Sequence, residues 1–146
     1  MQNVFQTLLN DGDEVIVLEP FFDFYSRQVM MANAKVVGIP FITPKNNEGK
    51  EYFNSNDWKV DYEALENTIN QKTKIFVLTN PTNPFGKVFT KDELSQINLV
   101  LKRKNPNTVI LSDEGNPIFL IYIYSFFSIF FIIFYIHLFS FIFNFI

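Results

Sequence analysis

The sequence contains no cysteine, only one histidine (His137), and not one charged side chain after Glu114. Without cysteine there are no disulfides and no thiolate metal sites, which suits a reducing compartment. All 12 Lys and Arg and all 15 Asp and Glu fall at or before Glu114, so the net charge of −3 belongs to the first part of the chain. A slightly acidic, unpatterned charge balance offers no basic footprint for nucleic acid. The opening MQNVFQTLLNDGDEV has no basic stretch leading into an apolar run and a small-residue cleavage site, so it is not read as a secretory signal. It is read as a helix entered midway, which suggests that an upstream piece is missing. No internal repeat is evident.

What is present is an alternation of short apolar runs and helical patterns over about one domain's length. Val4, Phe5, Leu8 and Leu9 recur at helical spacing, and Asn10-Asp11-Gly12 closes that helix with residues tolerant of left-handed geometry. Residues 14–18 (EVIVL), 35–39 (KVVGI), 75–78 (IFVL) and 108–111 (TVIL) have the β-branched, uninterrupted character of strands covered on both faces of a parallel sheet. Between them, residues 23–32 read as a helix with Phe24, Met30 and Met31 available for packing and Asn33 near its end. Residues 41–58, with Pro, Gly and several Asn, read as a long surface loop. Asp61 can cap a helix running to about residue 70. Thr90 and Glu93 form a capping box for a helix ending at about Lys104, where Lys102, Arg103 and Lys104 complement the helix dipole. The expectation is a three-layer α/β sheet over residues 1–114, followed by an apolar tail over residues 115–146.

Open α/β sheets bind ligands where the strands end. Those ends are Glu19-Pro20-Phe21-Phe22, the turn from Asn80 to Gly86, and Ser112-Asp113-Glu114. The middle one, within LTNPTNPFGK, spends two asparagines, two prolines and a glycine on one turn. Proline fixes φ and removes donors that the turn could not satisfy, and glycine permits close backbone approach. Taken singly, each feature has an ordinary reading: an Asn-Pro turn, an acidic cap at a strand end, a core phenylalanine. Asp113 and Glu114 with no neighbouring histidine make a poor metal site, and none is expected.

Three segments in order, DGDEVIVLEPFFDFY, NPTNPFGKVFT and ILSDE, resemble the class I/II, fold-type I pyridoxal-phosphate aminotransferases, especially the kynurenine aminotransferase and cysteine-S-conjugate β-lyase branch. The likeness spans roughly the first three quarters of the chain. It implies the large domain of that fold, in part, and pyridoxal 5'-phosphate as cofactor. It also implies that Phe22 stacks on the cofactor ring, Asn83 donates its amide to the ring's phenolic oxygen, and Asp113 pairs with the pyridine nitrogen. Small-molecule amino acids and α-keto acids are the implied substrates, a homodimer the implied assembly, and a cytoplasmic or mitochondrial location the expected one.

The likeness breaks after Glu114. The family continues with an apolar residue and a tyrosine that shares the ring oxygen, whereas this chain has Gly115, Asn116 and Pro117. The Schiff-base lysine and the substrate-carboxylate arginine lie further downstream in the family, and the last lysine here is Lys104. The small-residue loop that helps bind the phosphate precedes the family position matching Met1. No catalytic residue is therefore assigned, and the chain by itself is expected to be inactive. Residues 117–146 are about two thirds Phe or Ile, long enough for a membrane span. They lack closing basic residues, aromatics confined to the interfaces, and small residues for helix packing. Phe, Ile, Tyr, Leu and Asn can all be encoded by A and T alone, so translated intron or frameshifted sequence is favoured over a membrane anchor. A non-catalytic module that binds a membrane or a partner is the alternative. Either origin predicts aggregation in water.

Overall fold

A computed structural model describes residues 1–42 and 54–114 of the 146-residue chain. Helix α1 (Gln2–Leu8) leads into strand β1 (Glu14–Glu19), helix α2 (Phe24–Met30) and strand β2 (Lys35–Pro40). A single 3-10 turn at Ser55–Asp57 precedes helix α3 (Tyr62–Thr68), strand β3 (Thr73–Thr79), helix α4 (Lys91–Lys104) and strand β4 (Val109–Asp113). The four strands form one sheet in the order β2-β1-β3-β4, every pair parallel.

Alternation along the strands divides the core into two layers, as the two-residue period of a strand requires. Val15, Val17, Ile75, Val77 and Leu111 pack with Val4 and Phe5 of α1 and Tyr25 and Val29 of α2. Ile16, Leu18, Phe76, Leu78 and Ile110 face the other way, onto Leu65 of α3 and Leu94, Ile97 and Leu101 of α4. This is the three-layer α/β architecture that the strand pattern predicts. From β1 to β2 the chain moves one way along the sheet with α2 on one face. From β3 to β4 it moves the other way with α4 on the opposite face, as crossovers of a single hand demand.

The polar residues expected to start helices do so. Asp61 Oδ1 accepts from Ala64 N at 2.8 Å. Thr90 Oγ1 accepts from Glu93 N at 3.2 Å while Glu93 Oε2 accepts from Thr90 N at 2.9 Å, completing the capping box. Gly12 has φ of 80° and Asn33 φ of 54°, both in the left-handed region, and Gly12 N donates to Asn33 O at 3.0 Å. That bond joins the two turns feeding β1 and β2.

Three expectations need correction. In α2 the packing face is Tyr25, Gln28 and Val29, whereas Phe24, Met30 and Met31 are 52%, 61% and 62% exposed. Apolar character picked the wrong face because the buried set includes a glutamine and a tyrosine, which a hydrophobic count passes over. The stretch expected as surface loop is tied into the fold at its ends: Phe41 is buried in the core, the half-buried Trp58 stacks on Phe85 at 4.7 Å, and Ile42, itself 50% exposed, forms an antiparallel bridge with Lys59. Strand β4 starts at Val109, because Thr108 N closes a turn onto Asn105 O at 3.0 Å.

Among the described residues no helix is long and apolar enough to cross a membrane. The apolar tail, and with it the anchor and translated-intron readings, lies outside them.

Candidate functional site

Strands β1 and β3 are neighbours from which the chain departs in opposite directions, making the space beyond their carboxyl ends the topological switch point of the sheet. A crevice opens there. Pro20, Phe21 and Tyr25 line it from the β1 side, and Thr79, Thr82 and Asn83 from the β3 side.

The turn that follows β3 is held almost wholly by its own polar groups. Asn80 N donates to Asp113 O at 2.9 Å, which ties the turn to β4. The buried Asn80 side chain accepts from Phe89 N at 3.2 Å. Thr82 N donates to Lys87 O at 2.8 Å and Gly86 N to Thr82 O at 2.7 Å, while Thr82 Oγ1 accepts from Lys87 N at 2.8 Å. Gly86 has φ of 72°, a conformation that favours glycine. The Asn80–Pro81 and Asn83–Pro84 peptides are cis. At the crest of this framework Asn83 is exposed, and its amide forms no hydrogen bond with another described residue.

Lys87, in the same turn, is 1% exposed. Its Nζ lies 2.9 Å from Glu93 Oε1 and 5.5 Å from the centre of the Phe89 ring. Burial pushes the Glu93 carboxyl upward, but hydrogen bonds from Thr90 and Lys87 and the lysine's charge outweigh it and hold Glu93 below the usual range.

On the β1 side the organising residue is Tyr25, buried at 2% exposure. Its hydroxyl donates to Asp113 Oδ2 and lies 3.0 Å from Thr79 Oγ1. Burial, then the hydrogen bond to Asp113, pushes this phenol well above its ordinary value, with Thr79 opposing and the Asp113 charge adding to the rise. The same ring meets Phe22 edge-on, with centroids 6.0 Å apart and planes at 89°, and lies nearly parallel to Phe21 at 6.5 Å. Phe22 itself is 47% exposed.

Phe22 and Asp113 therefore both touch Tyr25, and Tyr25 and Asn83 line one crevice. The fold brings the three residues singled out from sequence to the same edge of the sheet, around a tyrosine that had no assigned role. A turn closed by Tyr25 N donating to Phe22 O at 3.1 Å leads into α2 and sets the two rings edge to face. Lys87 and its ion pair with Glu93 likewise had no assigned role, Glu93 being expected only as part of a helix cap. Lys104 lies at the far end of α4, away from the crevice. Beside Asp113, Glu114 Oε1 accepts from Ser112 Oγ at 2.9 Å. Burial raises the Glu114 carboxyl, with the Ser112 bond opposing and the Asp113 charge adding to the rise. Among the described residues no group of acidic or histidine side chains could hold a metal ion.

An open parallel sheet with amide, carboxylate and aromatic side chains gathered at its switch point defines an α/β domain with a candidate ligand site. More narrowly, the chain belongs to the family described as Aminotransferase class I and II, which matches residues 1–118. It is 42% identical over 115 residues to a kynurenine--oxoglutarate transaminase of Dictyostelium discoideum, covering 74% of this chain and 26% of that protein. It is likewise 42% identical over 113 residues to human kynurenine--oxoglutarate transaminase 3, covering 77% of this chain and 24% of that one. The crystal structure of Bna3p from Saccharomyces cerevisiae superposes with a TM-score of 0.69 at 39% identity, over 77% of this chain and 26% of that one. The chain thus spans about a quarter of the length of the curated relatives it matches.

Proposed function

We propose that this chain forms the ring-holding part of a pyridoxal 5'-phosphate site in an aminotransferase that moves an amino group from an amino acid such as kynurenine to an α-keto acid. The observation that carries this reading is the Tyr25 hub, which links Phe22 to Asp113 at the mouth of the crevice that Asn83 lines. The residues fit the ring. Asp113 uses Oδ2 to accept from Tyr25, and its Oδ1 has no hydrogen bond to another described residue, which leaves an acceptor for a protonated ring nitrogen. Asn83 offers an uncommitted amide donor, and Phe22 an exposed aromatic face.

When bound, the cofactor supplies an electron-accepting pyridinium ring that takes up the electrons released at the substrate's α-carbon. In this reading Asp113 holds the proton on the ring nitrogen, and Tyr25 fixes the carboxylate's direction. Asn83 stabilises negative charge on the ring oxygen by donating its amide, and Phe22 covers one ring face and excludes water from it. Of the chain's lysines, Lys87 is closest in sequence to Asn83, yet it is buried and engaged by Glu93. None follows Lys104. The 146-residue chain on its own is accordingly proposed not to turn over.

Two measurements on the full chain, kept in solution with a non-ionic detergent, test this. Pyridoxamine 5'-phosphate, which cannot form imines with surface lysines, should bind saturably. Asn83→Ala and Asp113→Ala should each weaken it about tenfold, the worth of one charge-assisted hydrogen bond. Affinity unchanged in both variants rejects the site. Transamination of kynurenine above the rate of free pyridoxal 5'-phosphate would overturn the proposed inactivity.

A further inference from the structure

Lys87 poses a problem that the ring site does not answer. Its side chain is 2% exposed and its ammonium is turned onto Glu93, so it contributes no charge to the crevice. A buried ion pair is seldom the most stabilising choice at such a place, since apolar residues of similar volume usually do as well. What an ion pair adds is direction. Glu93 uses one oxygen for Lys87 at 2.9 Å and the other for the amide of Thr90, the residue that caps α4, also at 2.9 Å. The Lys87 backbone in turn donates from N to Thr82 Oγ1 and accepts at O from Thr82 N, both at 2.8 Å, and Thr82 immediately precedes Asn83. A continuous polar path therefore runs from the start of a 14-residue helix to the residue carrying the exposed amide.

We infer that the Lys87–Glu93 pair is a positioning clamp for Asn83, fixing the amide's aim at the ring oxygen. This inference rests on the ring-binding reading above. The clamp acts through the turn and touches no ligand. Apolar replacement of Lys87 should leave a folded chain with a looser turn and a poorly aimed amide. Arginine should preserve the clamp, because it keeps the charge and the reach to Glu93.

The test compares the full chain with Lys87→Met, Lys87→Arg, Glu93→Gln, Asn83→Ala and the Lys87→Met/Asn83→Ala pair. Pyridoxamine 5'-phosphate affinity should fall about tenfold in Lys87→Met, as in Asn83→Ala, with no further loss in the double variant, because one route serves both residues. Glu93→Gln, which retains a cap acceptor, should fall severalfold, and Lys87→Arg should stay within about threefold of the parent. The bound ring's phenol, followed by its absorption, should titrate at higher pH in both Asn83→Ala and Lys87→Met, a signature that simple loss of stability does not produce. In the ligand-free chain, amide exchange at Gly86 and Lys87 should quicken in Lys87→Met and not in Asn83→Ala. A folded Lys87→Met chain with parental affinity, or losses that add in full, overturns the clamp while leaving the ring site standing. If Asn83→Ala has no effect, the ring-oxygen reading fails, and unchanged amide exchange in Lys87→Met then removes the clamp as well.

Discussion

The turns that follow β1 and β3 both carry a proline within two residues of a buried apolar strand, Pro20 and Pro81, yet they are stabilised differently. Beyond β3, hydrogen bonds from Asn80, Thr82, Gly86 and Lys87 close the turn on itself, and the buried Lys87–Glu93 pair fastens it to α4. Beyond β1, no described side chain of Pro20, Phe21 or Phe22 makes a hydrogen bond. Phe22 and Phe24 are 47% and 52% exposed; their rings meet each other, and that of Phe22 also meets Tyr25. The turn after β3 carries its own geometry. The turn after β1 borrows it from a single buried tyrosine, which in turn depends on Asp113 across the sheet.

The strongest way to break this contrast is Glu93→Ala. It strands a buried ammonium and removes part of a helix cap, so it should cost about 3–5 kcal/mol in urea or guanidinium unfolding. A loss under about 1 kcal/mol would mean that the turn does not depend on the pair.

Tyr25→Phe comes next. It keeps the ring under Phe22 but deletes the donor to Asp113, and should cost about 1–3 kcal/mol, since a partly buried carboxylate loses its partner. Tyr25→Leu should cost more by also removing the ring contacts. Equal losses in the two variants would show that the hydroxyl contributes nothing.

The pH dependence of unfolding sharpens the contrast at both ends of the scale. Glu93 is held below the ordinary carboxylate value of 4.5, burial being overcome by the Thr90 and Lys87 interactions. Its stabilising contribution is therefore fully present above that value and is lost as pH falls through the depressed folded pKa. Tyr62 is pushed up to about 12 by burial and then by the charge of Glu93. The neutral phenol's contribution is present below 10 and is lost as pH rises from there toward 12. Glu93→Gln should flatten the acid limb and slightly ease the alkaline one, a paired change that urea midpoints across pH will detect.

The smallest expected effect on stability is that of Phe22→Ala, within about 0.5 kcal/mol because the ring is half exposed. Its effect on pyridoxamine 5'-phosphate affinity should be far larger than its effect on unfolding. A large stability loss instead would make Phe22 a core residue and end its candidacy.

Much of this architecture could be read from residue types. Each strand announced itself by an unbroken β-branched run, because parallel strands are covered on both faces and local burial suffices to mark them. Asp61, Thr90 and Glu93 were legible because a cap satisfies amides only two or three residues away. The α2 face was misread where burial falls on Gln28 and Tyr25: the Tyr25 hydroxyl is satisfied by Thr79 and Asp113, both remote in sequence, and Gln28 Oε1 is buried with no hydrogen-bond partner among the described residues, so no local pattern marks either. Tyr25 meets Asp113 88 positions later, a distance over which no periodicity carries information. The Lys87–Glu93 pair lies close in sequence but joins a turn to a helix, so neither helical nor strand spacing marks it. The three strand-end residues stood out only through the likeness of three ordered motifs to a family.

The β2-β1-β3-β4 order has a mechanical consequence. The sheet is built from two strand-helix-strand units, β1-α2-β2 and β3-α4-β4, and within it they meet along one seam, the pairing of β1 with β3. The crevice sits at the end of that seam and takes walls from both halves. Any occupant is therefore a bolt across the joint. At a free concentration 100-fold above its dissociation constant it opposes separation of the halves by about 2.7 kcal/mol, so that filling the crevice and holding the sheet together become one equilibrium.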